Sequence, residues 1–414
     1  MESKTAVKNI ERYASYKDSG VEWLGEIPEN WQVKPGLTIL NESKEKNIGF
    51  IQKTVLSLSY GNVIVKPKEK LTGLVPESFE TYQLVKPGDI IIRPTDLQND
   101  KTSLRTGLAK DHGIITSAYI NLRVKEKYSN SFYHYYLHTI DINKVIYGLG
   151  SGLRQNISFW DFKRFPFPFP PLPEQTAIAQ FLDDKTSKIE DAIAIKEQQI
   201  SLLKERKQIL IHQAVTRGLD NSVTLKNAGV EWIGEIPEHW EVKALKFISN
   251  LQSGEFISSD DFKEEGYPVY GGNGFRAYCE NYTNDGLYAL IGRQGALCGN
   301  VNYADGKFYA TEHAVVVYPI NNEDTLWLGE TIKVADFNRL SQSAAQPGIA
   351  VGVIKNERFP YPPLSEQKEI SAYIETASEK IETAIALKQQ EIEKLTEYKS
   401  SLINGVVTGK VRVC

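Results

Sequence analysis

Residues 19–34 read SGVEWLGEIPENWQVK and residues 228–243 read AGVEWIGEIPEHWEVK, with 12 of 16 positions identical at an offset of 209. Self-similarity of this kind dictates architecture before any secondary structure is assigned, because each copy must fold into the same local unit. A second pair follows: PFPPLPEQTAIAQFL from Pro168 matches PYPPLSEQKEISAYI from Pro360 at an offset of 192. That match runs without a gap to Val215-Thr216-Arg217-Gly218 and Val407-Thr408-Gly409-Lys410. The chain is two half-proteins in tandem. The offsets differ by 17, so the first intervening block is 17 residues longer than the second. The blocks look unrelated: block one, roughly 35–166, carries GDIIIRPTDLQNDKTSLRTG, and block two, roughly 244–358, carries YPVYGGNGFRAYCENY and LYALIGRQGALCGN. A duplicated enzyme is expected to keep one intact set of reactive residues, whereas a duplicated reader gains by letting each copy bind something different.

After each proline-rich run comes a stretch of roughly 44 residues without proline, rich in Glu, Lys, Gln, Ala, Ile and Leu, the composition of a long helix. The first is predicted to begin near Pro173, whose fixed φ suits the first helical position, and the second at Ser365, whose hydroxyl can cap orphan amides. Glu174 and Glu366 complement the positive end of the helix dipole. Both helices are expected to stop at glycine, Gly218 and Gly409, which take the left-handed conformation at low cost. Ile189, Ile193, Ile200, Leu203 and Leu210 are spaced by 4, 7, 3 and 7, close to the repeat of a coiled-coil seam, and Ile381, Ile385, Ile392, Leu395 and Leu402 repeat the pattern. Lys196 and Lys388 interrupt both stripes at the same seam position, which reads as a register device or an opening toward a partner helix. Two matching stripes can pair, and antiparallel pairing of equivalent helices creates a pseudo-twofold axis. At 1.5 Å per residue each helix is about 65 Å long, a stiff spacer between globular units. Duplex DNA has such axes too, and half-site readers commonly sit about 34 Å apart. The plainer reading is an ordinary helical hairpin core.

Composition bounds the alternatives without choosing among them. A chain of 414 residues predicts two or three globular units. No apolar run approaches the ~20 residues that cross a bilayer, so no membrane contact is expected. Met1-Glu2-Ser3-Lys4 opens a polar stretch without the apolar core of a secretory signal, which points to the cytoplasm. Cys279, Cys298 and Cys414 show no paired metal spacing and read as reduced thiols. The net charge of −4 gives nucleic-acid binding no help, since phosphate contacts need only local Lys and Arg. An Asn-Pro-Pro-Tyr-like methyltransferase loop and a Gly-x4-Gly-Lys-Ser/Thr phosphate loop are both missing. Glu42-Ser43-Lys44 has the tail of a metal-nuclease pattern but no companion acid. His134 and His138 stand four apart in HYYLH, yet the glutamate of the zinc-protease motif is missing and the aromatic setting reads as a packed helix. Gly148, Gly150 and Gly152 look like a nucleotide loop, but Leu153-Arg154-Gln155 does not open a βαβ unit. No metal site and no catalytic residue is expected.

These residues resemble the specificity subunits of type I restriction-modification systems, in which two variable target-recognition domains alternate with two conserved helical regions. The resemblance spans essentially the whole chain. It rests on the doubled GVEW(L/I)GEIPE(N/H)W, the doubled PPL(P/S)EQ helix start and the two long helices ending at Gly218 and Gly409. Block two is also similar to members whose recognition domain carries YPVYGGNG, LIGRQGALCGNV and KFYATEHAVVVYP, found here within residues 267–319. Block one is similar to another group with DIIIRPTDLQND and GLGSGLRQNIS, residues 89–100 and 148–158. The fold expected is α+β: two mostly β target-recognition domains joined by a long antiparallel two-helix coiled coil, with a pseudo-twofold internal repeat. Its parts are residues 1–166, the first recognition domain; 167–219, the first long helix; 220–358, the second recognition domain; and 359–414, the second long helix. The resemblance implies a subunit without catalysis of its own. Each block contacts one part of a bipartite site in double-stranded DNA, and the helices set the unread spacer and dock two methyltransferase subunits. Restriction and motor subunits join in the full complex, and methyl donor and ATP are bound by those partners, leaving this chain without a cofactor. The rival reading is a coiled-coil scaffold that assembles partners without reading DNA.

For DNA contact the candidates are polar side chains in Gly-rich or Asn/Asp-rich loops, where backbone and side chain can approach base edges and phosphates. Arg reads guanine through two hydrogen bonds, and Asn or Gln reads adenine likewise. In block one these are Arg93, Asp96, Gln98, Asn99, Lys101, Arg105, Arg154 and Gln155. In block two they are Asn273, Arg276, Arg293, Gln294, His313 and Gln346. Block two has Ala344-Ala345-Gln346-Pro347 where block one has Gly-Ser-Gly-Leu-Arg-Gln, so no role for Arg154 carries across. Each candidate also has a plain reading, a solvated cation or a turn-shaping Asp or Asn. Trp23, Trp31, Trp232 and Trp240 recur with the frame, which points to packing between helix end and domain rather than base stacking.

Overall fold

The computed structural model describes residues 11–67, 79–97, 100, 103–149, 156–295, 297–340 and 348–413. It divides into two compact units, Met1–Lys196 with Gln390–Cys414, and Glu197–Gln389. Both long helices are thus divided between the units.

The first unit contains β1 (Tyr16–Asp18), β2 (Glu26–Pro28), β3 (Gln32–Pro35), β4 (Leu40–Ser43), β5 (Leu56–Ser59), β6 (Asn62–Val65), β7 (Gln83–Val85), β8 (Ile90–Ile92), β9 (Thr106–Leu108), β10 (Gly113–Ile115), β11 (Ile120–Val124), α1 (Asn130–Ile142), α2 (Phe159–Arg164) and β12 (Pro166–Phe169), followed by α3 (Leu172–Arg217). Its central sheet has the strand order β4-β11-β8-β9. Three consecutive isoleucines in β8 are all buried because both faces of the sheet are covered. Ile90 and Ile92 join the main core with α1, and Ile91 joins a second core with Leu56, Val63, Val85, Ala109 and Ile115.

The second unit contains β13 (Leu225–Asn227), β14 (Glu235–Pro237), β15 (Glu241–Ala244), β16 (Ser249–Ser253), β17 (Tyr267–Gly271), β18 (Gly274–Cys279), β19 (Asn284–Asp285), β20 (Tyr288–Gly292), β21 (Val301–Ala304), β22 (Lys307–Ala310), β23 (Ala314–Pro319), α4 (Thr325–Val334), α5 (Val351–Ile354) and β24 (Arg358–Tyr361), followed by α6 (Leu364–Val407). The central sheet, β16-β23-β20-β21, matches that of the first unit. Its second face is covered differently, by the sheet β18-β17-β22-β19, with Leu290 and Val316 facing Phe308. The blocks that look unrelated in sequence therefore share a central sheet and differ in what lies over it.

The doubled motifs explain this common frame. Trp31 Nε1 donates to Glu174 Oε1 at 3.0 Å, and Trp240 Nε1 donates to Glu366 Oε2 at 2.9 Å. Both indoles are fully buried, which is the packing role expected of them. Trp23 stacks on Phe165, and Trp232 meets Phe359 edge-on. Gln175 donates to the Pro170 carbonyl and accepts from the backbone N–H of Ser129, the residue that caps α1. Gln367 repeats this with Pro362 and Asp324, the cap of α4. Each PEQ or SEQ motif thereby locks a long helix to the short helix of a recognition fold.

The long helices begin at Leu172 and Leu364, so Pro173 and Ser365 fall inside the first turn rather than at its edge. Gly218 and Gly409 have φ of +73° and +76°, as their place after the last turn requires. Within the first unit Glu190 pairs with Lys399 and Lys196 with Glu391, an antiparallel order, and in the second Lys207 pairs with Glu382. Ile189, Ile381 and Leu402 are buried, while Ile193, Ile200, Leu203, Leu210, Ile385, Ile392 and Leu395 are half-buried. Lys207 and Lys399 also occupy seam positions, which the apolar pattern alone did not reveal. Cys279 and Cys298 are buried free thiols, and Cys414 lies outside the described residues.

Candidate nucleic-acid interface

In the first unit the segment after β8 leaves the sheet and returns at Arg105. The backbone N–H of Arg93 donates to the Arg105 carbonyl at 2.9 Å, closing the loop at its base. The Arg105 guanidinium donates to the carbonyls of Thr95 (2.6 Å), Asp96 (3.0 Å) and Asp100 (2.6 Å), and its Nε donates to the Tyr147 hydroxyl at 3.1 Å. Arg105 is 0% exposed, so the expected DNA contact is corrected: this side chain shapes the loop from inside. Burying a guanidinium is tolerable only with such a complete set of acceptors. Arg93 is different. Its side chain is 41% exposed and pairs with Asp100 at 3.2 Å, leaving donor capacity facing outward. Asp96 adopts φ of +63°, and its backbone N–H donates to Asn156 Oδ1 at 3.2 Å. Ile157 N–H donates to the Pro94 carbonyl at 2.9 Å, so the residues after the glycine-rich run lie against this loop. Asn156 and Asp100 were not among the expected residues. Gln98, Asn99, Lys101, Arg154, Gln155 and Gln346 lie outside the described residues.

In the second unit a close backbone approach builds the site. A Cβ on Gly292 would lie 2.0 Å from the Gly272 carbonyl oxygen, and one on Gly272 would lie 2.9 Å from that of His313. Only glycine lets the hairpin turn between β17 and β18 rest on the end of β20. Three expected residues come together there: Asn273 on the turn, Arg293 after β20 and His313 before β23. Arg293 N–H donates to the His313 carbonyl at 3.1 Å, and Arg293 Nη1 donates to Ser253 Oγ at 3.1 Å. Asn300 Nδ2 donates to Asn273 Oδ1 at 3.1 Å, and His313 Nε2 lies 3.2 Å from Glu312 Oε1. Ser253, Asn300 and Glu312 were not among the expected residues, although Gly254 and Gly299, both at close backbone approaches, stand next to the first two. Arg293 Nε, Thr311 Oγ1, Glu312 Oε2 and His313 Nδ1 have no partner among the described residues. Buried polar atoms are costly when unpaired, so this cluster suits a polar ligand. Gln294 is exposed beside it, with its backbone bridged to Gly348. Arg276 is exposed further along the hairpin, its guanidinium 6.0 Å from the Phe262 ring centre.

The other motifs resolve into structure. Ser43 is buried in β4, and Glu42 pairs with Lys44 at 2.9 Å. His134 and His138 lie on α1 with ring centres 6.0 Å apart. Burial pushes them down to about 3 and about 4, and the positive charges of Lys110 beside His134 and Lys399 beside His138 act in the same direction. Among the described residues no group of three or more His, Cys, Asp or Glu is arranged to hold a metal, and no helix is long and apolar enough to cross a membrane.

Residues 108–205 and 237–397 match the family described as type I restriction modification DNA specificity domain. The chain belongs to that family. The two matched stretches are the two copies of the specificity domain, each running from the recognition fold into its long helix. A 138-residue stretch is 40% identical to the type I restriction enzyme EcoprrI specificity subunit of Escherichia coli, covering 32% of this chain and 34% of that protein. The type I restriction enzyme MjaVIII specificity subunit of Methanocaldococcus jannaschii is 26% identical over 333 residues, 73% of this chain and 75% of that one. A solved chain from work on complex assembly and conformational transition of the type I R-M system has the same fold, with a TM-score of 0.71 at 13% identity over 92% of this chain and 98% of its own.

Proposed function

We propose that this specificity-family chain reads a bipartite site in double-stranded DNA, one half-site per unit, for a type I restriction-modification assembly. The observation that carries the reading is one scaffold built twice with a different polar cluster on each copy: Arg93 with the Asp96–Asp100 loop in one, and Asn273, Arg293 and His313 in the other. Selection for catalysis keeps a reactive set constant, and selection for distinct half-sites keeps the frame and varies the cluster. Arg93 and Arg293 suit guanine, and Asn273 suits adenine. The helices set the unread spacer and dock two methyltransferase subunits, which bring the methyl donor; restriction and motor subunits bring ATP. The chain itself carries out no chemistry.

The test is the methylation pattern. Mapping methylated adenines in the host genome should return one bipartite motif, and replacing residues 35–166 by the block of another family member should change only one half of it. An unchanged motif would show that block one is not a reader, and the absence of any motif would favour a scaffold. The full chain alone is expected to bind DNA weakly, with affinity and selectivity rising on addition of the two methyltransferase subunits.

A further inference from the structure

Strands β5 and β6 are joined by Tyr60 and Gly61 alone, with φ of +46° and +79°. Two successive positive φ values are the signature of the mirror-image turn that fits the twist of a hairpin. Gly61 meets a clear need, since a Cβ there would lie 3.0 Å from the Leu104 side chain. Tyr60 does not. Asn or Asp takes this conformation readily, whereas a bulky side chain is strained in it. The usual compensation for an aromatic residue is burial of its ring. Tyr60 is 90% exposed, and its ring has no aromatic, cationic or hydrogen-bonding partner among the described residues. Among the described residues the fold gains no contact from this ring, and an observed outlier of this kind points to a function outside the fold.

Its position says which. Gly61 rests on Leu104, the residue before Arg105, which holds the Arg93–Asp100 loop in shape. Gly107 in β9 is covered by Leu58, the Gly61 carbonyl and Val63, so the hairpin lies directly against the return arm of that loop. Ile64 and Val65 continue an exposed apolar edge, 43% and 47% exposed. A two-stranded ribbon tipped by one aromatic ring is narrow enough to enter the roughly 12 Å major groove; an intact duplex shows only base edges there, so a ring with both faces free meets the flat face of a base where a step is unstacked, as it is when a methyltransferase flips its target.

We infer that Tyr60 stacks on a nucleobase face exposed by unstacking of the duplex at the edge of the half-site read by the first unit. This rests on the DNA-reading function proposed above. Hydrogen bonds from the loop choose the sequence, and the ring adds affinity that any base can supply.

The experiment uses the full chain assembled with its methyltransferase subunits and duplexes bearing the mapped site, with 2-aminopurine placed in turn across one half. Wild type should change the fluorescence at one or two positions. Tyr60→Ala should remove that change and weaken binding roughly ten-fold, the usual worth of one stacked base. Tyr60→Phe should keep both. Tyr60→Asn should lose them while melting no lower than wild type, because it relieves the turn. If Tyr60→Ala binds and reports like wild type while the site is still preferred, the stacking role is wrong and the DNA-reading function stands. If the variant captures less methyltransferase but the complexes that form bind DNA normally, the ring is a protein contact and the inference fails. No preference for the site by wild type overturns both.

Discussion

Arg93 and Arg105 are twelve residues apart, face each other across the base of one loop and were indistinguishable as candidate DNA contacts in sequence. What separates them is Tyr147, whose hydroxyl accepts from Arg105, and the three carbonyls that surround the same guanidinium. A pocket completed by a residue so far along the chain leaves no local signature, which is why Arg105 reads in sequence like Arg93, whereas Arg293 and Asn273 each stand beside a glycine and lie in one cluster in the second unit. Arg105→Met should strand the loop acceptors and destabilise the first unit by about 3 kcal/mol in urea unfolding, as removal of one partner from a buried charged network does. Arg93→Ala should change stability by less than about 0.5 kcal/mol and weaken reading of one half-site only. The histidines of α1 give a second prediction. Both are held neutral, at about 3 and about 4, against an ordinary value near 6.5 in the unfolded chain. Above pH 6.5 neither state binds their protons and stability is full. Below it the unfolded chain takes up protons that the folded one refuses, so stability falls by about 1.4 kcal/mol per pH unit for each histidine. Urea unfolding at pH 7, 6 and 5 should show this slope, and the double variant His134→Gln, His138→Gln should flatten it.

Among elements, the long helices were the most legible, because a 46-residue and a 44-residue helix declare themselves through periodicity and absence of proline beyond the first turn. The shared sheet was hidden. DIIIRP and LYALIG have little identity, yet each supplies a strand whose alternate residues enter two different cores, and that property depends on apolar character rather than on particular side chains. The helix stops were also visible in sequence but not their unequal contacts. A Cβ at Gly409 would sit 2.3 Å from Pro28 Cδ and 3.2 Å from the Trp31 ring, whereas one at Gly218 would meet Trp240 at 3.1 Å and nothing closer. Both substitutions strain a left-handed residue, costing about 1 kcal/mol each. Gly409→Ala adds a clash with a proline ring fixed in place by β2, so it should cost about 2 kcal/mol more than Gly218→Ala in thermal unfolding of the full chain.

At the scale of the whole molecule, the repeat is cyclic as well as tandem. The end of α3 meets the second copy of the frame through Gly218 on Trp240 and Arg217 on Glu235. The end of α6 meets the first copy in the same way: Gly409 packs on Trp31, Lys410 donates to the carbonyls of Leu24 and Glu26, and Arg412 N–H donates to the Glu11 carbonyl at 2.8 Å. Residues 219–222, which link the copies covalently, are exposed, and the contact between 409–412 and 11–26 does the same work without a covalent link. Among the described residues, breaking one junction and sealing the other therefore keeps the packing of both units and loses only the Asp220–Ser222 hydrogen bonds at the new terminus. A permuted chain that joins Val413 to Glu11 through a short flexible linker and begins at Asn221 should fold with a melting temperature within a few degrees of the parent, since exposed loop tips tolerate new termini. Assembled with methyltransferase subunits, it should methylate the same bipartite motif. A permutant that folds but modifies a motif with a different spacer would show that the covalent link at 219–222, and not the helix frame, sets the distance between half-sites.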